Sequence, residues 1–255
     1  MKKTVLIFAL AFGLALVACA ESHSPESNFR VEPVDGGASV RIVEYLGDSW
    51  EVRIPPRIRG LPVTHIGPGL CCCDGGSNDG GAVFQNLISV TIPNSVTHIG
   101  SMAFWDNQLT SVSIPNSVTY IGAGAFYLNQ LTSVSIPNSV IYIGREAFAN
   151  NRLTNVSIPN SITSIEVGVF EFNRLTNVSI PNSVIYIGNG AFYSNQLTSV
   201  TIPNSVTYIG LGAFADNQLT SVSIPSDTAI TVFHSRMNIW GVYSSFDGNV
   251  TITRR

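Results

Sequence analysis

The chain has 255 residues, a net charge of −3 and only 11% charged residues, a poor match for phosphate backbones that argues against a nucleic-acid partner. Hydrophobic residues make up 45%, enough for a buried core, while the charge content falls well below the roughly 25% of an average globular chain, so uncharged polar side chains must keep the surface wet. The four cysteines, Cys19, Cys71, Cys72 and Cys73, lack the spacing of a disulfide framework.

The first element is an export signal. Lys2 and Lys3 precede an apolar run from Val5 to Ala18, too short for a bilayer core that needs about 20 residues. The end of that run, Leu16-Val17-Ala18-Cys19, resembles the lipobox of bacterial lipoproteins, in which the cysteine is diacylated and becomes the mature N-terminus. The resemblance implies a signal peptide over residues 1–18, lipid attachment at Cys19 and anchorage to a membrane of the bacterial cell envelope. The alternative is plain secretion after cleavage near Ala18 or Ala20. Residues 19–28 carry no apolar periodicity and read as a polar tether.

Residues 29–86 are expected to form an N-terminal cap. Residues 29–50 read as one or two capping strands, and VRIPPRIRGLPVTHIG (52–67) as a degenerate first repeat. An insertion, PGLCCCDGGSNDGGA, follows. Adjacent cysteines do not have the two-to-four-residue gap of zinc sites. A glycine-rich loop with unimportant thiols and an intermolecular disulfide are the two readings of Cys71–Cys73.

The array itself spans residues 87–225. Leucines recur at 87, 109, 131, 153, 175, 197 and 219, 22 residues apart at every step, and a fixed period in this range is the signature of a solenoid. In the second unit the apolar places are Leu109, Val112, Ile114, Val118, Ile121, Ala125 and Phe126. Val112 and Ile114 alternate with Ser111 and Ser113, so LTSVSI is a strand. Pro115 ends it, and Asn116 and Ser117 supply turn chemistry. A short second run follows from Val118 to Ile121, broken by Gly122, and Ala125-Phe126 is placed on a single helical turn. No unit can bury its apolar side alone; stacking must do it. Residues 226–255 lose the period and carry Phe233, Trp240, Tyr243 and Phe246, as a C-terminal cap would.

The unit pattern LxxLxLPxxLxxIGxxAF resembles the BspA-like leucine-rich repeat family of bacterial surface proteins, over about residues 40–225. The resemblance implies a leucine-rich repeat solenoid, a curved right-handed coil of strand, turn, short strand and helical turn. It also implies adhesion to host, extracellular-matrix or other cell-surface proteins. One departure stands out. Where the family often has a cysteine three residues after the phenylalanine, this chain has Asn107, Asn129, Asn151, Asn173, Asn195 and Asn217, and we expect each side chain to bond backbone groups of its corner.

Two sets of outward residues are candidate contacts for a protein or glycan ligand. The first lies on the strands, on the face that is concave in leucine-rich repeats: Ser111, Ser113, Ser133, Ser135, Asn155, Ser157, Asn177, Ser179, Ser199 and Thr201. The second is a stripe of Tyr120, Tyr142, Tyr186 and Tyr208, preceded by His98 and interrupted by Ser164, in the unit where Glu166 replaces the usual glycine. The plainer roles are solubilising hydroxyls and rings packed along a flank. His23, His65, His98 and His234 are far apart, and the acidic residues of the array are scattered, so no catalytic constellation, metal site or cofactor is expected. The function read from sequence is therefore a binding module rather than an enzyme. A structural, self-associating envelope lipoprotein is the alternative, and ice binding by the Ser/Thr rows a weaker third.

Overall fold

A computed structural model describes residues 22–68, 83–230 and 250–254. The expected signal peptide with Cys19, the Cys71–Cys73 cluster, and Phe233, Trp240, Tyr243 and Phe246 lie outside the described residues.

The chain enters along the cap. Ser24 N–H donates to the Arg53 carbonyl at 2.9 Å, and the Glu26 carboxylate accepts from Arg59 N–H at 2.8 Å. Phe29–Val34 and Ser39–Tyr45 then pair antiparallel, turning through Gly36 and Gly37, both at positive φ where no Cβ clashes. From there pairing becomes parallel. Ser39–Tyr45 pairs with Leu61–Ile66, which pairs in turn with His98–Ile99. The hairpin thus converts an exposed sheet edge into the first rung of the coil.

Each later coil has three sides. The first is the SVS side, where Ser111–Ser113 pairs in register with Ser133–Ser135. It continues through single bridges linking Ser135, Ser157, Ser179 and Thr201. Strand pairing is therefore shorter than the six-residue LTSVSI run suggests, because Pro115 and its equivalents have no N–H to extend the ladder. The chain then turns, with Val118 N–H donating to the Pro115 carbonyl at 3.0 Å. The second side is the short strand: Tyr120–Ile121 pairs with Tyr142–Ile143, and Tyr186–Ile187 with Tyr208–Ile209. The third side, expected as a helical turn, is a run of tight i→i−3 turns instead. Ala125 and Tyr127 N–H groups donate to Gly122 and Gly124 carbonyls, while Gly124, Phe126 and Leu128 N–H groups donate outward to Arg145, Ala147 and Ala149 of the next coil. Alternate donors thus serve the turn and the stack.

The core is the inside of this triangle. Leu109, Val112, Ile114, Val118, Ile121, Ala125 and Phe126 are all buried, as are their described equivalents except the partly buried Val200. Phe84, Phe104, Phe126, Phe148, Phe170, Phe192 and Phe214 form one column with ring centroids 5.1–5.8 Å apart. Tyr45 stacks on Phe84 and Phe29 packs against Tyr45 at a tilt of 49°, so the cap closes the column with aromatic rings of its own.

Beside the column runs the asparagine ladder expected from the sequence. Asn151 Oδ1 accepts from Leu131 N–H at 3.0 Å, and its Nδ2 donates to the Phe126 carbonyl at 2.9 Å. Asn129, Asn173, Asn195 and Asn217 repeat the same pair of bonds one coil apart. An amide carries donor and acceptor on one rigid group, so it clamps two backbone groups of the preceding corner at once.

One side of the stack is divided. The short-strand ladder forms two sheets, separated between Ile143 and Ser164. The reason is steric. A Cβ placed on Gly144 would lie 2.5 Å from Ala123 N, and one on Gly188 would lie 2.8 Å from Val167 N: at this place the coil packs its backbone directly on the coil before it. Position 166 holds glutamate, whose Cβ forbids that approach, so the ladder opens there. The Glu166 carboxylate instead accepts from Ser164 Oγ at 2.7 Å.

Candidate binding surfaces

The two candidate sets occupy different sides of the coil. On the SVS side, Ser111, Ser113, Ser133, Ser135, Asn155, Ser157, Asn177, Ser179, Ser199 and Thr201 are all exposed. In-register parallel pairing puts each residue beside its equivalent one coil away, about 4.8 Å off, which turns them into rows. Two further rows flank them: Thr110, Thr132, Thr154, Thr176, Thr198 and Thr220 on one margin, and Asn116, Asn138, Asn160, Asn182 and Asn204 on the other, all exposed. These asparagines read from sequence as turn residues only; their 22-residue period was the signal that they form a row.

The tyrosines lie past the proline turn, on the short-strand side. Tyr120 and Tyr142 stack at 5.0 Å and 13°, Tyr186 and Tyr208 at 4.9 Å and 3°. His98 stacks on Tyr120 at 5.8 Å and on His65 at 4.4 Å, so the stripe extends into the cap. Rings packed face to face on one another turn their edges and hydroxyls outward, not their faces. Burial, then Tyr208 and Glu166, raises the Tyr186 phenol above its ordinary value, which keeps it a neutral donor. Sequence reasoning missed Ile141 and Ile185, which precede Tyr142 and Tyr186 and are 67% and 50% exposed, beside Tyr142 at 39%. The 22-residue slot that they share with Thr119 and Thr163 marks them as outward-facing.

The third side carries a small charged group. Gly168 and Gly190 leave room for the Glu171 side chain, with Glu146 close to Gly168. Burial first, then Glu146, push the Glu171 carboxyl up to about 7, while Arg145 opposes. Arg145 reaches Glu146 at 3.5 Å. Among the described residues no three His, Cys, Asp or Glu side chains gather to hold a metal ion, and no described helix is long and apolar enough to cross a membrane.

A stack of 22-residue coils with an LxxLxLP strand, a buried phenylalanine column and neutral outer rows is the geometry of one repeat class. The family model of the BspA type leucine rich repeat region matches residues 82–173 and 119–237, with six copies. The chain belongs to this family. Repeats of this class generally serve as protein-binding scaffolds rather than catalysts. Among solved structures, the T. pallidum leucine-rich repeat protein TpLRR is 24% identical, with a TM-score of 0.51, covering 68% of this chain and 88% of that one. A leucine-rich repeat protein from Bacteroides ovatus is 20% identical, with a TM-score of 0.45, covering 89% of this chain and 66% of that one. The T. pallidum likeness is one of fold. No curated protein matches the chain.

Proposed function

We propose that the chain is an adhesive binding module of the bacterial cell surface, held to the envelope by a lipid on Cys19. It binds a protein of host tissue, extracellular matrix or another cell through its repeat array. One observation carries the reading: Ile141, Tyr142 and Ile185 stand exposed along the short-strand side, amid stacked tyrosine edges. Large, rigid amphipathic side chains of this kind contribute most to protein–protein affinity, since they bury much area at little entropy cost. Two acyl chains make membrane anchorage stable, at about 0.8 kcal/mol per buried methylene.

The test is capture of the full chain on a panel of immobilised, purified matrix proteins. Ile141→Ser/Tyr142→Ser should reduce binding to at least one of them about tenfold or more, a loss of about 1.4 kcal/mol, without moving the melting temperature. Absence of binding across the panel, with concentration-dependent sedimentation that the same variant abolishes, would assign the stripe to self-association instead. Mass spectrometry of the mature N-terminus tests the anchor: an unmodified Cys19 removes it.

A further inference from the structure

The SVS side has a chemistry different from the tyrosine stripe and asks for a different ligand. On the coils that begin at Leu175 and Leu197 it holds an open groove of about 690 Å³, lined by Asn177, Ser179, Asn182, Thr201, Asn204 and Ser205, with Pro203 and the buried Val178 and Ile180 as its floor. That volume falls within the range of about 300–1,000 Å³ usual for ligand sites. No charged side chain lines it and no aromatic ring faces it. Nucleic acids and anionic polymers therefore find no cation there, and a protein partner finds none of the aromatic or arginine anchors that hold such interfaces.

What the groove offers is a dense set of paired donors and acceptors. Each asparagine amide puts a carbonyl beside an N–H, and each hydroxyl both gives and accepts. Neighbouring hydroxyls of a sugar ring answer that pattern group for group. Ser205 at the groove wall keeps its hydroxyl without a hydrogen-bond partner, as Ser95 and Ser139 do in the same slot of earlier coils, whereas Ser183 donates to the Ile162 carbonyl at 2.7 Å. The groove is also not isolated. The rows of Thr, Ser and Asn run on from it along the stack axis, without a charged member, from Thr198 back to Thr110. A repeating polymer laid along the axis meets the same groups about every 4.8 Å.

We propose that this side binds a neutral, linear polysaccharide, seated in the groove at Asn177–Ser205 and extended along the polar rows. Binding runs through hydroxyl and amide contacts, independent of the tyrosine stripe. Electrophoresis of the full chain through gels cast with soluble neutral polysaccharides (a β-1,3-glucan, a β-1,4-glucan, a mannan and a dextran), with alginate as the anionic control, tests it. At least one neutral polymer should retard the protein equally at low and high salt, because no ion pair is screened. Ser179→Lys/Thr201→Lys should weaken the retardation about tenfold. Asn177→Asp/Asn204→Asp keeps the shape but removes two NH2 groups, and should weaken it too. Tyr142→Ser should leave it intact, so the matrix-protein reading and this one fail separately. The four linkages distinguish which class of polymer fits. Retardation by none of the neutral polymers, retardation by alginate alone, or retardation unchanged in both groove variants with native melting curves would overturn the proposal.

Discussion

At the scale of single residues, the fold rests on side chains and absences of side chains that act on the neighbouring coil. Asn151 satisfies Leu131 N–H and the Phe126 carbonyl in a buried corner. Asn151→Ala leaves Leu131 N–H unpaired and takes one of the two amide donors from the Phe126 carbonyl, which keeps Asn129 Nδ2 at 3.2 Å; the lost N–H partner alone costs about 1–3 kcal/mol where no water replaces the amide, so a thermal melt should show a clear drop. Asn151→Asp sets a buried carboxylate against the Phe126, Phe148 and Ala149 carbonyls and should fall at least as far. Gly144 acts by what it lacks. Gly144→Ala forces a Cβ onto Ala123 N and should cost about 1–3 kcal/mol as overpacking. The converse holds at Glu166. Glu166→Gly removes the Cβ that parts the ladder; if the coil closes, two backbone hydrogen bonds form, a gain of about 1–2 kcal/mol read as a higher melting temperature. An unchanged melting temperature would mean that the division has another cause.

Between elements, a histidine pair and a glutamate link the folded state to pH in opposite senses. His65 in the cap and His98 in the array stack at 4.4 Å. Burial lowers both below their ordinary value, with the His98 charge and then Arg41 adding to the effect at His65, and Arg41 opposing Asp35 at His98. Groups with a lowered folded pKa of this kind are neutral in the native state. Their stabilisation is complete above the unfolded value of 6.5 and is lost as pH falls through the folded one, so the join between cap and array should loosen in acid. Protection factors against hydrogen exchange at Thr64–Ile66 and Thr97–Ile99 should fall below pH 6.5 and recover in His65→Phe. Glu171 runs the other way. Its folded pKa is raised from 4.5 to about 7, so the folded form holds a proton that the unfolded chain releases, and stability falls as pH rises through that window. Glu171→Gln should stabilise the protein at pH 8 by about 1 kcal/mol after allowance for partial exposure, and not at all near pH 4. Equal effects at both pH values would assign the change to packing.

For the whole molecule, the coil is the unit of stability. Deleting residues 131–152, one full coil beginning at Leu131, joins Gln130 to Leu153 in register and restores every ladder between equivalent residues. Such a deletion should melt cooperatively at a lower temperature. Removing residues 131–150 instead shifts the register by two residues and should abolish the cooperative transition, as circular dichroism would show. The 22-residue repeat of Leu, Val, Ile, Ala and Phe places determined the solenoid, its inward face and its asparagine ladder from sequence alone, because a residue that recurs at one period must stack on itself. Sequence also showed that the Ser and Tyr sets face outward. Tertiary structure decided what no period encodes. The third side became tight turns shared with the next coil. One glutamate Cβ parted a ladder that its glycine neighbours keep closed. The two outward sets came to lie on separate sides, one aromatic and one polar, because the Pro115–Val118 turn stands between them, and a turn's direction is set by the packing around it rather than by the spacing of residues along the chain.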